Sequence, residues 1–161
     1  FRQSMISFTH VDLNWFFDEW INTGKQLDYA VKGVKHRNAD SGQQIHFRRV
    51  GGMEMPIDFT VEGNDGKSYN YHIPNNWFVK RTDATVLPRW IGFDVLHRDY
   101  YAKVDIPSGI ADVRIDTSYR LGDANMLNNS LRFPFTSTFD SHISNWPDWR
   151  TYQGYVRPDL W

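Results

Sequence analysis

Residues 57–73 read IDFTVEGNDGKSYNYHI, and this stretch decides the fold class of the chain. Apolar and polar residues alternate over residues 57–62 and again over residues 69–73. An alternation of period two indicates β-strands that each have one buried face. The intervening residues 63–66, Gly-Asn-Asp-Gly, accept the positive φ angles that a tight turn requires. The stretch therefore predicts a β-hairpin.

The same alternation recurs on both sides of this hairpin. Towards the N-terminus it predicts a strand that begins at Leu27 and has a bulge at Gly33, and a second strand around residues 45–48. Towards the C-terminus, residues 104–115 alternate on either side of Pro107-Ser108-Gly109. We interpret residues 104–115 as a second hairpin.

Short strands of this kind, in a chain with 16% aromatic residues, predict a mainly β fold. We expect an Ig-like antiparallel β-sandwich with a short N-terminal amphipathic helix and an irregular C-terminal tail. Three regions follow from this prediction. Residues 1–26 form a terminal helical segment, residues 27–124 form the sandwich domain, and residues 125–161 form an irregular tail or the start of a further region.

Before residue 27 the apolar residues follow the period of a helix. They form one stripe at i, i+3, i+4, i+7 and i+8, which consists of Leu13, Phe16, Phe17, Trp20 and Ile21. The stripe predicts a short helix that buries these side chains. Trp15 lies outside the stripe, so we expect another surface to cover it. We therefore predict packing against a neighbouring domain through Trp15, Phe16 and Trp20.

The composition argues against several classes of protein. A chain of 161 residues, 40% of them hydrophobic, can bury one globular core. Its formal net charge of −1 gives no general attraction to a phosphate backbone, so a nucleic-acid partner is not expected. No apolar run approaches the roughly 20 residues that span a bilayer, and we expect no transmembrane segment.

Catalytic motifs are not recognisable in the sequence. It contains neither H-E-x-x-H nor G-x-S-x-G, and it has no cysteine, so we expect no catalytic residue and no metal ligand. We assign His46 and His72 to polar strand faces. A site assembled from distant aspartates and histidines, which would make the chain itself an enzyme, is a rival hypothesis. We interpret four aspartates as cap and turn residues, namely Asp12, Asp65, Asp99 and Asp123.

Cationic and aromatic residues suggest one further alternative. We interpret the cationic groups as solvated faces, because consecutive residues such as Arg48 and Arg49 point to opposite sides of a strand. Exposed Trp and Tyr side chains could stack on sugar rings, which gives the alternative of a carbohydrate- or ligand-binding sandwich. Besides the pair Arg48 and Arg49, the second of the two cationic groups interpreted as solvated faces consists of Lys32, Lys35, His36 and Arg37.

The junction between the helix and the first strand resembles a known family. Residues 12–20 read DLNWFFDEW, and residues 24–31 read GKQLDYAV. This order resembles the aminopeptidase N family of thermolysin-like (gluzincin) zinc peptidases of bacterial type, in which such a helix ends the catalytic domain and such a strand opens a β-sandwich. Residues 49–57 (RVGGMEMPI), 106–110 (IPSGI) and 115–129 look like the sandwich and its exit, so the resemblance covers most of the chain.

The resemblance implies that this chain is a non-catalytic accessory domain of a longer zinc peptidase, and that it packs on and positions the catalytic domain of the same parent chain. The family's zinc motif, its substrate-amine site and its transition-state tyrosine belong to the preceding domain, and no residue here matches them. Zinc is expected there, and no cofactor in this fragment. Peptide substrates would be met only through the parent enzyme. The resemblance further implies a periplasmic or cell-surface location.

Overall fold

Strands make up most of the regular structure in residues 1–36, 42–92 and 96–132, the residues that the computed structural model describes. Two short helices come first, α1 (Arg2–Thr9) and α2 (Asn14–Trp20). The strands are β1 (Tyr29–His36), β2 (Gln43–Arg49), β3 (Ile57–Gly63), β4 (Ser68–Ile73), β5 (Thr85–Val86), β6 (Asp99–Val104) and β7 (Ile110–Ile115). A 3₁₀ turn, Met126–Asn128, follows the last strand.

The strands form two sheets, as the sequence predicts. The first sheet has three strands in the order β1-β2-β6, and the second has four in the order β5-β4-β3-β7. Among the described strands, each pair is antiparallel except that β5 runs parallel to β4. The prediction of a mainly β, two-sheet fold is confirmed, and the division into three and four strands is that of Ig-like sandwiches.

Apolar side chains from both sheets fill the space between them. Ile45 and Phe47 of β2 are fully buried, and so are Ile57 and Phe59 of β3. The rings of Phe47 and Phe59 meet with their centroids 4.8 Å apart. A side chain of this size contributes about 1.5–3 kcal/mol when it is fully removed from water. The alternating pattern therefore brings the two sheets face to face.

The hairpin over residues 57–73 is confirmed. Ile57 lies opposite Ile73, and the pairing continues without a shift to Glu62 and Ser68, where β4 begins. Gly66 in the turn has a φ of 76°, a region that suits glycine because it lacks a Cβ. The predicted bulge in β1 is confirmed too, because the register with β2 shifts at Gly33.

The second predicted hairpin, residues 104–115, is wrong. β6 pairs with β2 in the three-stranded sheet, whereas β7 pairs with β3 in the four-stranded sheet. Between them Ile106 is fully buried, and the side-chain amide of Gln43 bonds both its N–H and its carbonyl oxygen. The turn thus carries the chain from one sheet to the other. Alternation shows that both strands bury one face, but it does not say which strands lie side by side.

The N-terminal region contains two helices where the sequence predicts one. α1 was not predicted, and none of its residues is buried. α2 is shorter than the predicted stripe, because it begins at Asn14 and ends at Trp20. Within the described ranges, no helix combines the length and the apolar character needed to cross a membrane.

The described part of the predicted tail packs on the sandwich. The N–H of Leu131 donates to the carbonyl oxygen of Val113 in β7 over 2.9 Å, and the N–H of Ile115 in β7 donates to the carbonyl oxygen of Asn129 over 2.8 Å. Residues 133–161 lie outside the described residues, so an irregular tail there stays a prediction.

Candidate interaction surface

Trp15, a residue of α2, is the buried centre of an aromatic cluster. Its ring stacks on Trp77, with centroids 6.3 Å apart and an angle of 10° between the planes, and it lies 5.7 Å from the ring of Phe78. Only 9% of Trp15 is exposed. The surface that was expected to cover Trp15 is therefore supplied, at least in large part, by residues of the same chain.

The predicted buried stripe of α2 is wrong except at Phe17. The residues that α2 buries are Trp15, Phe17 and Glu19, whereas Phe16 and Trp20 are each 37% exposed. A seven-residue helix has too few turns for its own periodicity to fix its rotation, so tertiary contacts decide which side is buried. Here the contact between Trp15 and Trp77 buries the side of the helix that carries Trp15.

Three partly exposed rings, Phe16, Trp20 and Trp77, form what we call the aromatic surface. The ring of Phe16 lies 6.1 Å from that of Trp20 and 6.0 Å from that of Trp15. Trp15 in turn stacks on Trp77, so it connects Phe16 and Trp20 to Trp77. The indole N–H of Trp20 approaches the Sδ of Met55 at 3.3 Å, so this ring is anchored at one edge. The surface thus combines large apolar area with fixed ring positions.

Polar contacts connect the two helices to each other and to the segment before β1. Arg2 lies 2.9 Å from the carboxylate of Asp18 and donates to the side chain of Asn14 at 2.8 Å. The hydrogen bond from Arg2 is the main reason that the pKa of Asp18 is lowered. On the other side of α2, Lys25 Nζ lies 3.4 Å from Glu19 Oε1. These contacts link α1, α2 and the segment that leads into β1.

A buried ion pair that sequence reasoning missed lies at the end of β2. Arg49 Nη1 is 2.9 Å from Glu54 Oε1, and both side chains are almost fully buried. The side-chain amide of Asn76 donates to Glu54 Oε2 and to the carbonyl oxygen of Gly92, each over 3.0 Å. Burial raises the pKa of Glu54, and the nearby positive charge of Arg49 opposes that rise. Through Asn76 and Gly92, this ion pair and its hydrogen bonds attach the segment between β4 and β6 to the end of β2.

His72, which the sequence placed on a polar face, is in fact buried. Its Nδ1 lies 2.8 Å from Asp58 Oδ1, and Lys80 pairs with the other carboxylate oxygen. The N–H of Leu87 donates to the carbonyl oxygen of His72, so the segment that follows Lys80 is attached along the edge of β4. Although a carboxylate-oriented histidine is one part of a catalytic dyad, His72 Nε2 is buried and has no hydrogen-bond partner among the described residues. We therefore assign a structural role to the pair of His72 and Asp58, in which it helps to attach the segment after Lys80 to β3 and β4.

The four aspartates interpreted as cap and turn residues have hydrogen-bond partners in the structure. Asp12, Asp65 and Asp123 accept hydrogen bonds from nearby backbone N–H groups, which confirms their interpretation as cap and turn residues. Asp99 instead lies within β6 and bonds His46 Nε2 at 2.7 Å. In the part of the chain that the structure describes, no three His, Asp or Glu residues form a group that could hold a metal ion.

Comparison with known proteins leaves the family unassigned. No family model matches the chain, and no curated protein and no solved structure match it. The resemblance to the aminopeptidase N family therefore rests on the quoted residues, and the functional conclusion rests on the aromatic surface.

Proposed function

We propose that this chain is a non-catalytic accessory β-sandwich that packs on a neighbouring domain and positions it. In this proposal the neighbour is the catalytic domain of a larger zinc aminopeptidase-like protein. The observation that carries the proposal is the aromatic surface of Phe16, Trp20 and Trp77. Aromatic residues are enriched in the buried centres of protein interfaces, where they contribute more than most other side chains.

The behaviour of α1 supports the same conclusion. A helix of eight residues is marginal in water, and it needs an apolar face packed on something to be stable. None of its residues is buried here, and its Phe8 is almost fully exposed. A partner that covers Phe8 together with the aromatic surface would give α1 the packing it requires.

The proposal assigns the chemistry to the neighbour. Zinc and the peptide substrate would be held there, and the sandwich would fix the position of the walls around the substrate cleft. The coding sequence upstream of Phe1 tests this directly. An H-E-x-x-H motif followed by a second glutamate ligand supports the peptidase assignment, whereas an upstream sequence without that motif removes it.

The packing itself is tested with the encoded upstream domain as a separate protein. We expect the 161-residue chain to bind it, and the double variant Phe16→Ser/Trp20→Ser to lose at least about tenfold in affinity, because two interface aromatics are removed. Tyr101→Ser is the matched control, since Tyr101 is 45% exposed but lies on β6. Equal loss in both variants, or no binding by the unaltered chain, contradicts the proposal.

The carbohydrate-binding alternative is separated by an array of uncharged glycans. The accessory-domain proposal expects no binder on it. A neutral glycan that the unaltered chain retains, and that Trp20→Ser does not, would replace the proposal with a sugar-binding role for the same rings.

A further inference from the structure

The outer face of the three-stranded sheet collects positive charges that are separated in the sequence. Lys35 of β1 lies opposite Gln44 of β2, which in turn lies opposite Lys103 of β6. Residues in one such row point to the same side of a sheet, and the outer strands lie about 10 Å apart. Both lysines are exposed. Two strands that are not neighbours thus place a cation at each end of one row.

Two more cations extend this face. Arg48 lies four residues along β2 from Gln44 and therefore on the same side, and Lys32 is exposed at the bulge beside Gly33. We call the set Lys32, Lys35, Arg48 and Lys103 the basic face.

Most of this charge is not neutralised. Within the described residues, Lys32, Lys35 and Lys103 make no ion pair with an acidic side chain, whereas Arg48 has Asp99 at 3.6 Å. Asp99 also accepts a contact from His46 at 2.7 Å, on its other carboxylate oxygen. The basic face therefore has a local excess of positive charge, although the whole chain has a formal net charge of −1.

A flat ring lies in the middle of the basic face. Tyr101 stacks on His46, with centroids 4.6 Å apart and an angle of 16° between the planes, and it is 45% exposed. Gly33 lies opposite His46 in the register, and a Cβ placed there would meet nothing within 4 Å. The ring pair is thus bordered by open space on the β1 side.

From this arrangement we propose that the basic face binds an acidic polysaccharide, whose carboxylate or sulfate groups pair with the lysines and whose sugar ring packs on Tyr101. Charge complementarity selects a polyanion, and a sugar polymer supplies both anions and ring faces. Sites for single-stranded nucleic acid stack successive bases on several aromatic side chains, whereas this face presents the single pair Tyr101 and His46 among the described residues. This function goes beyond the packing role and uses a different face of the molecule.

Titration of the 161-residue chain with polygalacturonate, and with dextran as the uncharged control, tests the proposal. We expect binding to polygalacturonate alone, and a loss of about tenfold or more in the double variant Lys35→Ala/Lys103→Ala, because two cations of one row are removed. The double variant Lys67→Ala/Arg81→Ala changes the net charge equally but alters exposed cations elsewhere, and it should bind as the unaltered chain does. Retained binding in Lys35→Arg/Lys103→Arg would support a charge-based site.

Several results would overturn the proposal. One is that the unaltered chain does not bind polygalacturonate. Another is that the two alanine double variants lose the same amount of affinity, which would indicate a general charge effect. Binding of a single-stranded oligothymidylate that is equally tight and equally sensitive to Lys35→Ala/Lys103→Ala would assign the face to nucleic acid. The test is independent of the packing proposal, because Trp20→Ser should leave polygalacturonate binding intact and Tyr101→Ser should weaken it.

Discussion

Arg49 and Glu54 form a buried ion pair that should be costly to break. Glu54→Gln removes the negative charge and leaves a guanidinium with 2% of its side chain exposed. Breaking a buried ion pair by the removal of one partner's charge destabilises a protein by about 3–5 kcal/mol. We expect a loss of that size in the free energy of unfolding, measured by urea titration near neutral pH.

The control for this prediction is Glu62→Gln. Glu62 lies 3.9 Å from Arg114, and both side chains are about half exposed. Exposed pairs contribute about 0–1 kcal/mol because water screens them. Similar losses in the two variants would contradict the assignment of Glu54 as a buried partner.

The two tryptophans of α2 should differ in the order opposite to the one that the apolar stripe of the sequence suggests. Trp15→Ala empties a site that Trp77 and Phe78 enclose, and should cost about 3–5 kcal/mol. Trp20→Ala removes a side chain that is already 37% exposed, and should cost about 1 kcal/mol. Denaturant titration of both variants measures the two losses in the free energy of unfolding. A larger loss for Trp20→Ala than for Trp15→Ala would show that Trp20 belongs to the core.

At the scale of elements, the end of β2 is packed against the segment that enters β1. A Cβ on Gly51 would lie 2.2 Å from the carbonyl oxygen of Gln26 and 2.8 Å from the N–H nitrogen of Asp28. Backbone atoms cannot rotate away as a side chain does, so Gly51→Ala should destabilise the fold by about 3 kcal/mol. Gly24→Ala is the control, because a Cβ there meets nothing within 4 Å. Thermal unfolding that shifts equally in both variants would disprove the close approach.

A second element-scale contact is the attachment of the segment between Lys80 and Leu87 to β3 and β4. Burial by itself raises the pKa of Asp58, but hydrogen bonds from His72 and Lys80 outweigh it, and the net pKa lies below the ordinary 3.8. A carboxyl with a lowered pKa in the folded state stabilises that state above pH 3.8, and this contribution is lost as the pH falls through the folded-state pKa.

Asp58→Asn should therefore lower the urea midpoint at pH values well above 3.8, and the difference from the unaltered chain should vanish in stronger acid. Hydrogen exchange at the N–H of Leu87, which bonds the carbonyl oxygen of His72, should accelerate in the variant. Asp83→Asn, an exposed change in the same segment, should alter neither measurement. A midpoint difference that does not depend on pH would contradict the role of the Asp58 charge.

At the scale of the whole molecule, α1 should be dispensable for folding although the packing proposal needs it. Its residues are not buried, and Arg2 supplies its polar contacts with α2. Phe1, just before α1, contacts the ring of Phe17 at 6.0 Å but is itself 90% exposed. Deletion of residues 1–9 should change the free energy of unfolding by no more than about 1 kcal/mol, because exposed ion pairs contribute little. The deleted chain should nevertheless bind the upstream domain less tightly. A chain that fails to fold without residues 1–9 would place α1 in the core unit.

The candidate surfaces could be predicted only in part. The aromatic residues Trp15, Phe16 and Trp20 were recognisable from the sequence, but their exposure was not, because Trp77 comes from a distant and irregular segment. The basic face was not predictable from charge runs, since Lys35 and Lys103 become neighbours only through β2. No pattern within β2 shows that Arg49 meets Glu54, because the chain between them is irregular.

The sequence by itself determined the first two strands, the bulge at Gly33 and the 57–73 hairpin, because alternation and turn chemistry depend on residues close together in the chain. Tertiary structure alone decided that β6 and β7 join different sheets, that His72 is covered, and that α2 turns Trp15 inward. These outcomes depend on which distant surfaces meet and bury the most apolar area, and a local pattern is the same for every such arrangement.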